Sequence, residues 1–157
     1  MKSFVLPRPL AEADRDFPGH ESLGAKLQEG IRAVSLCAHT ALCTAISNDI
    51  GPEYVFAQQV WGYGKANDLL WAMSTSGNSG NVLNALYTAR ARGMKTLGLT
   101  GVSGGSMARL CDVCLRVSAS ATHRVQELHL PVSHALCRVL EARFFDGAPI
   151  PSHPQTL

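Results

Sequence analysis

Apolar residues fall in short blocks along this chain, and the blocks change period. Leu69-Leu70-Trp71-Ala72-Met73 is a continuous apolar run, and Leu97-Gly98-Leu99 is a second, shorter one; strands covered on both faces read this way. Between them Val82, Leu83, Ala85 and Leu86 recur at helical spacing, and Gly93 supplies a stop. The pattern predicts a short strand over 34–37, helices over 39–50 and 53–61, and a strand over 68–73. A helix over 81–92 and a strand over 95–100 follow, then a flexible turn over 101–105. A short helix over 106–110, a strand over 112–117 and one long helix over 123–145 complete the order. Strands alternating with helices build βαβ units around a parallel sheet. Residues 1–30, mixed and rich in Pro and Gly, read as an irregular N-terminal segment. Residues 31–146 read as one α/β domain, and 147–157 as a loose tail.

One segment carries chemistry. Ser74-Thr75-Ser76-Gly77-Asn78-Ser79-Gly80 joins a predicted strand to a predicted helix. The first turn of a helix has backbone N–H groups without partners and a partial positive charge. Ser and Thr add rotatable donors, and Gly lets a backbone approach closely. Phosphate is the natural guest of such a place. No Lys follows as in G-x-x-x-x-G-K-[ST], which argues against a nucleotide triphosphate and for a single phosphate on a small molecule. Any one of these hydroxyls read alone is as readily a helix cap. Ser74, Thr75, Ser76 and Ser79 crowded between strand and helix favour the anion site. The turn sits where ligands bind in parallel α/β folds, beyond the C-terminal ends of strands, and so does Thr100-Gly101-Val102-Ser103-Gly104-Gly105.

Composition narrows the classes. With 157 residues, 46% hydrophobic and 17% charged, the chain can bury a core. A net charge of +2 with scattered Lys and Arg gives no reason to expect nucleic acid. No apolar run approaches the ~20 residues that span a bilayer. Five cysteines without a secretory leader fit a reducing cytoplasm.

Ser74-Thr75-Ser76-Gly77-Asn78-Ser79, then Ala89-Arg90-Ala91-Arg92-Gly93-Met94-Lys95, Leu99-Thr100-Gly101, Gly104-Gly105 and Gln126-Glu127-Leu128-His129 together resemble the sugar isomerase (SIS) domain family. The phosphoheptose isomerase branch, acting on sedoheptulose 7-phosphate, is the most similar in motif order. The resemblance runs from about Val34 to Phe145. It implies a flavodoxin-like three-layer sandwich with a parallel sheet that assembles as a homo-oligomer, a dimer or tetramer, and a small phosphosugar as partner. By the same resemblance Ser74, Thr75, Ser76 and Ser79 match phosphate-binding positions, and Asn48-Asp49 match a pair that contacts substrate. Gln126 matches a residue touching substrate and metal. His134 matches a zinc ligand and catalytic acid/base, so Zn²⁺ is the implied cofactor.

Aldose–ketose isomerisation moves a proton between adjacent carbons through an enediol. It needs a base for the carbon acid and a group that manages the oxygen protons; a His suits the second task and a carboxylate the first. Read without the resemblance, His134 is a helix histidine among Val132, Leu136 and Val139, Gln126 a solvated helix residue, and Asp49 a helix-end residue. Eight residues of helix separate Gln126 from His134 by about 12 Å and about 80°, with Pro131 expected to kink the helix between them. Two subunits sharing one site would resolve that geometry.

The family pattern also holds a long N-terminal helix, a Gly-Asn-Gly-Gly-Ser loop and a His-x-x-x-Glu helix whose Glu is the general base. These motifs are not found here, and Met1-Lys2-Ser3-Phe4 resembles the stretch directly after that Glu. The expectation is a member without its front third, with Glu21 the stand-in carboxylate or else a surface charge. Three functions follow: an isomerase, a non-catalytic phosphosugar-binding or regulatory module, and a truncated member inactive on its own. Among the remaining residues, Cys111 and Cys114 are expected on opposite faces of a strand. Cys37, Cys43 and Cys137 are expected in the core, and Trp61 and Trp71 as packing residues. Gly98 and Gly101 are expected as positions where backbone fit demands Gly.

Overall fold

The computed structural model describes residues 26–145. Val34–Val132 forms one compact unit; residues 26–33 and 133–145 belong to a second. The first unit holds α1 (Thr40–Asp49), a 3₁₀ turn (Pro52–Tyr54), α2 (Val55–Tyr63), β1 (Leu69–Ser74), α3 (Gly80–Ala91), β2 (Lys95–Thr100), α4 (Met107–Leu110) and β3 (Val113–Arg116). The last helix, α5 (Thr122–Phe145), begins in it and runs on into the second, with Pro131 inside. The expectations for residues 1–25, Glu21 among them, and for the tail after 145 lie outside the described residues.

The three strands are parallel and lie in the order β1-β2-β3. Each crossover carries a helix, as parallel strands require. Side chains alternate between the sheet faces. Leu70 and Ala72 of β1 face Val60 of α2, Ala85, Leu86 and Ala89 of α3, and Met107 of α4. Leu99 of β2 turns the other way, onto Val117 and Val125 of α5. Helices thus cover both faces, which is the three-layer α/β arrangement expected from the alternation.

The strand expected over 34–37 is not there: Val34 is exposed and the segment is a turn. A strand needs a neighbour for its ladder, and here a side chain takes that role, because Gln59 Nε2 donates to Leu36 O at 2.9 Å. The local pattern carried no trace of that long-range partner. The other elements fall within a few residues of their expected places. Helix 39–50 begins one residue later because His39 is its N-cap, with Nδ1 accepting from Leu42 N at 3.1 Å. Trp61 is an exposed helix residue whose ring packs under the Arg92 guanidinium, 5.0 Å from the ring centroid. Cys37 and Cys137 are also exposed. Trp71 and Cys43 are half-buried.

Candidate functional site

The chain leaves β1 at Ser74 and enters α3 at Gly80 through the hydroxyl-rich turn. Ser74 is buried, and its Oγ accepts from Gly77 N at 3.1 Å and lies 2.8 Å from Ser79 Oγ. Ser79 occupies the N-cap of α3, yet its hydroxyl turns back to Ser74, and no side chain caps the helix through that position. A helix of 12 residues therefore opens with the Gly80 and Asn81 amides and an exposed hydroxyl at its start, while Val82 N donates to Asn81 Oδ1 at 2.9 Å. Ser76 Oγ accepts from Asn78 N at 3.1 Å. Thr75 is half-buried, and its carbonyl accepts from Gly101 N at 3.1 Å.

A second turn fixes the first. Asn78 Oδ1 accepts from Ser106 N at 2.9 Å, and Gly77 O accepts from Met107 N at 3.0 Å. Gly77 has φ +68°, and a Cβ there would overlap Gly104 O. A Cβ on Gly105 would come 2.5 Å from Ser76 O. The two turns are packed backbone against backbone, so only Gly serves at the contact. Asn78 is the residue sequence reasoning left without a role; its signal was an amide between Gly77 and Ser79, a residue type that bonds to nearby backbone.

Asn48 and Asp49 sit exposed at the C-terminal end of α1. Past Gly51 the 3₁₀ turn is tied to α3, where Asn84 Nδ2 donates to Glu53 O at 3.0 Å. Gln126 is exposed on the first part of α5, inside the unit that holds the serine turn; His134, also exposed, falls on the continuation of α5 in the other unit. The structure thus unites Ser74, Thr75, Ser76 and Ser79 in one turn. Among the described residues it shows no bond joining Asn48, Asp49 or Gln126 to that turn.

No group of three His, Cys, Asp or Glu side chains among the described residues could hold a metal ion. The expected pair, Gln126 and His134, does not by itself fill the four positions that zinc takes. Cys111 and Cys114 do not point apart. Cβ built on Gly98 would meet Cys111 Sγ at 2.8 Å and Cys114 Sγ at 3.1 Å. The strand begins at Val113, so its alternation does not govern Cys111. Burial, followed by the neighbouring Cys114, pushes the Cys111 thiol up to about 11, and burial raises Cys114 as well. Both are held as thiols at neutral pH, so a metal there would have to displace their protons. Gly98 is a fit position as expected, and so is Gly101, where a Cβ would lie 2.8 Å from Thr75 O.

At the opposite end of the sheet Asp112 Oδ2 accepts from both Thr96 N and Thr96 Oγ1, each at 2.7 Å. These bonds hold its carboxyl below the usual carboxylate range. That clasp binds β2 to the start of β3, away from the serine turn.

Comparisons with known proteins agree with this geometry. The profile of the SIS domain family matches residues 23–101. A phosphoheptose isomerase of Rhodospirillum rubrum is 41% identical over 131 residues, which is 82% of this chain and 70% of that protein. One from Bradyrhizobium sp. is 41% identical over 149 residues, 94% of this chain and 75% of that protein. The solved phosphoheptose isomerase of Neisseria gonorrhoeae superposes with TM-score 0.68 at 42% identity, covering 70% of this chain and 61% of that one. Its counterpart from Francisella tularensis gives 0.69 at 35% identity, with 71% and 60% covered. The chain thus spans from 60% to 75% of the length of these four relatives.

Proposed function

The chain belongs to the SIS domain family, and from that premise we propose that it binds a phosphosugar at the Ser74–Gly80 turn and takes part in aldose–ketose isomerisation of a phosphorylated sugar of the sedoheptulose 7-phosphate class. The observation that carries this reading is the start of α3. Its N-cap hydroxyl is turned into the serine turn, and its first amides face the C-terminal edge of a parallel sheet. A phosphate dianion there accepts from backbone N–H groups and from Ser and Thr hydroxyls. The relatives' shared name supplies the substrate class.

Once the phosphate is anchored, the reacting carbons of an extended sugar lie away from the turn, where Asn48, Asp49 and Gln126 would hold hydroxyls. His134 would exchange the oxygen protons as the enediol forms and collapses. Zinc at Gln126 and His134 would polarise the substrate oxygens and would need further ligands from beyond this set. Assembly as a dimer or tetramer is part of the same proposal. It is supported by the exposure of large apolar side chains, among them Trp61 at 56%, Tyr87 at 56% and Phe144 at 66%. No helix among the described residues is long and apolar enough to cross a membrane. A cytoplasmic setting belongs to the proposal through its phosphorylated substrate.

The second reading is a phosphosugar-binding module without turnover. It is favoured by the position of Asp112, the carboxylate with a perturbed titration, which is committed to Thr96 at the far end of the sheet. Isomerase turnover on sedoheptulose 7-phosphate, with and without zinc and with His134→Ala alongside, separates the two. Turnover that needs His134 supports the isomerase. Saturable binding with no turnover supports the module.

A further inference from the structure

We propose that Thr100 is a positioning residue of the phosphate cradle, its Oγ1–H ordering the hydroxyl protons of Ser74 and Ser79 so that Ser79 donates outward to the phosphate. This rests on the phosphate-binding reading and adds a residue to it. Thr100 is fully buried, 0% exposed, and its hydroxyl has no hydrogen-bond partner among the described residues. Its backbone is satisfied, since its carbonyl accepts from Val117 N at 2.9 Å. A buried hydroxyl left unpaired is destabilising, and Val in its place would fill the same space without that cost.

The position of the hydroxyl gives it a task. Thr100 is the register partner of Ser74 in the parallel sheet. Their side chains therefore stand side by side on one face, the face that α3 covers. Ser74 Oγ has two acceptor positions and one proton. Gly77 N–H fills one acceptor position. The hydrogen between Ser74 and Ser79 can belong to either oxygen. When Ser79 donates to Ser74, its proton is spent inside the turn and is lost to a ligand. When Thr100 Oγ1–H fills the second acceptor position of Ser74, directly after a change of χ1 rotamer or through one buried water, that option closes. Ser74 must then donate to Ser79, and Ser79, exposed at the helix start, must donate to the anion. A relay of three hydroxyls thus aligns with the helix dipole and presents one more oriented donor to phosphate.

The test measures binding of inorganic phosphate and of sedoheptulose 7-phosphate by calorimetry, with melting temperature in parallel, on the full chain and on Thr100→Val, Thr100→Ser and Thr100→Ala. Thr100→Val is expected to melt at or above the parent temperature and to bind both ligands about 10-fold more weakly. Thr100→Ser restores the affinity. Thr100→Ala does not, although it removes the same methyl group. That Ser/Ala contrast decides the matter even if Val is poorly accommodated. Equal affinities for the Ser and Ala variants, or an unchanged Thr100→Val, overturn the proposal while leaving the phosphate site standing. A parent chain that binds neither ligand overturns both.

Discussion

Thr96 and Thr100 lie on the same face of β2 and are buried alike, at 1% and 0% exposure. Thr96 is fully engaged: its hydroxyl donates to Asp112 Oδ2 and accepts from Asp112 N at 2.9 Å. Thr100, two repeats of the pleat further on, has no partner for its hydroxyl among the described residues. The same side chain in the same strand is a closed clasp at the N-terminal edge of the sheet and an open donor at the C-terminal edge. Parallel α/β folds place ligands at the second edge, because there the loops leave strands and enter helices with amides unpaired. Polar satisfaction therefore differs between the two ends of β2, one closed on itself and one left open beside the proposed phosphate site.

The strongest way to break this contrast is to destroy the open end from within. Gly77→Ala places a methyl group against Gly104 O at a φ of +68°. Overlap with backbone cannot be relieved by a rotamer change, and left-handed backbone adds about 1 kcal/mol for a residue with a side chain. Loss of about 3 kcal/mol in urea unfolding is expected, together with loss of measurable phosphosugar binding. Full affinity in a folded Gly77→Ala chain would show that the two turns need not touch for the site to form.

Thr96→Val attacks the closed end. It removes one donor and one acceptor and leaves Asp112 with unmade bonds. A stability loss of about 2 kcal/mol is expected, with phosphate affinity unchanged in calorimetry. This is the reverse of the pattern expected at Thr100. If both Val variants behave alike, the contrast between the two ends has no functional content. Ser79→Ala tests the open end more gently. The hydroxyl caps no amide of α3 and bonds only Ser74, so melting should shift little while phosphate binding weakens about 10-fold.

The serine turn and its strand–helix setting were legible in the sequence because every signal was local: an apolar run, clustered hydroxyls, then a helical period. The parallel sheet followed from the alternation of strands and helices. What stayed hidden was contact between distant segments. Leu36 is held by Gln59, which leaves residues 34–37 outside any strand. Cys111 and Cys114 share Gly98 because a helix end precedes the strand. Asn78 and Thr100 acquired roles only when the 101–106 turn closed over the first. Asn48, Asp49, Gln126 and His134 were legible as members of a family pattern. Their chemistry depends on an approach to the sugar that no local pattern carries.

The smallest expected effect sharpens the comparison by pH. Asp112 accepts two hydrogen bonds from Thr96 in the folded chain, and these hold its carboxyl below the usual value of 3.8. A depressed folded pKa means that the unfolded chain takes up the proton first as pH falls. The contribution of the ionised clasp is therefore complete above the unfolded value and is lost as pH drops through the folded one. Asp112→Asn keeps the shape but not the charge. Its melting temperature should lie slightly below the parent's at pH 7, with the gap closing under acid. The carboxylate is solvent-exposed, so screening keeps the gap small and high salt should narrow it further. Phosphate affinity at pH 7 should be the same in both chains, because the clasp and the cradle lie at opposite ends of β2. A variant that lost phosphate binding without losing stability would mean that the clasp reaches the cradle through the strand, and the division into two ends would fail.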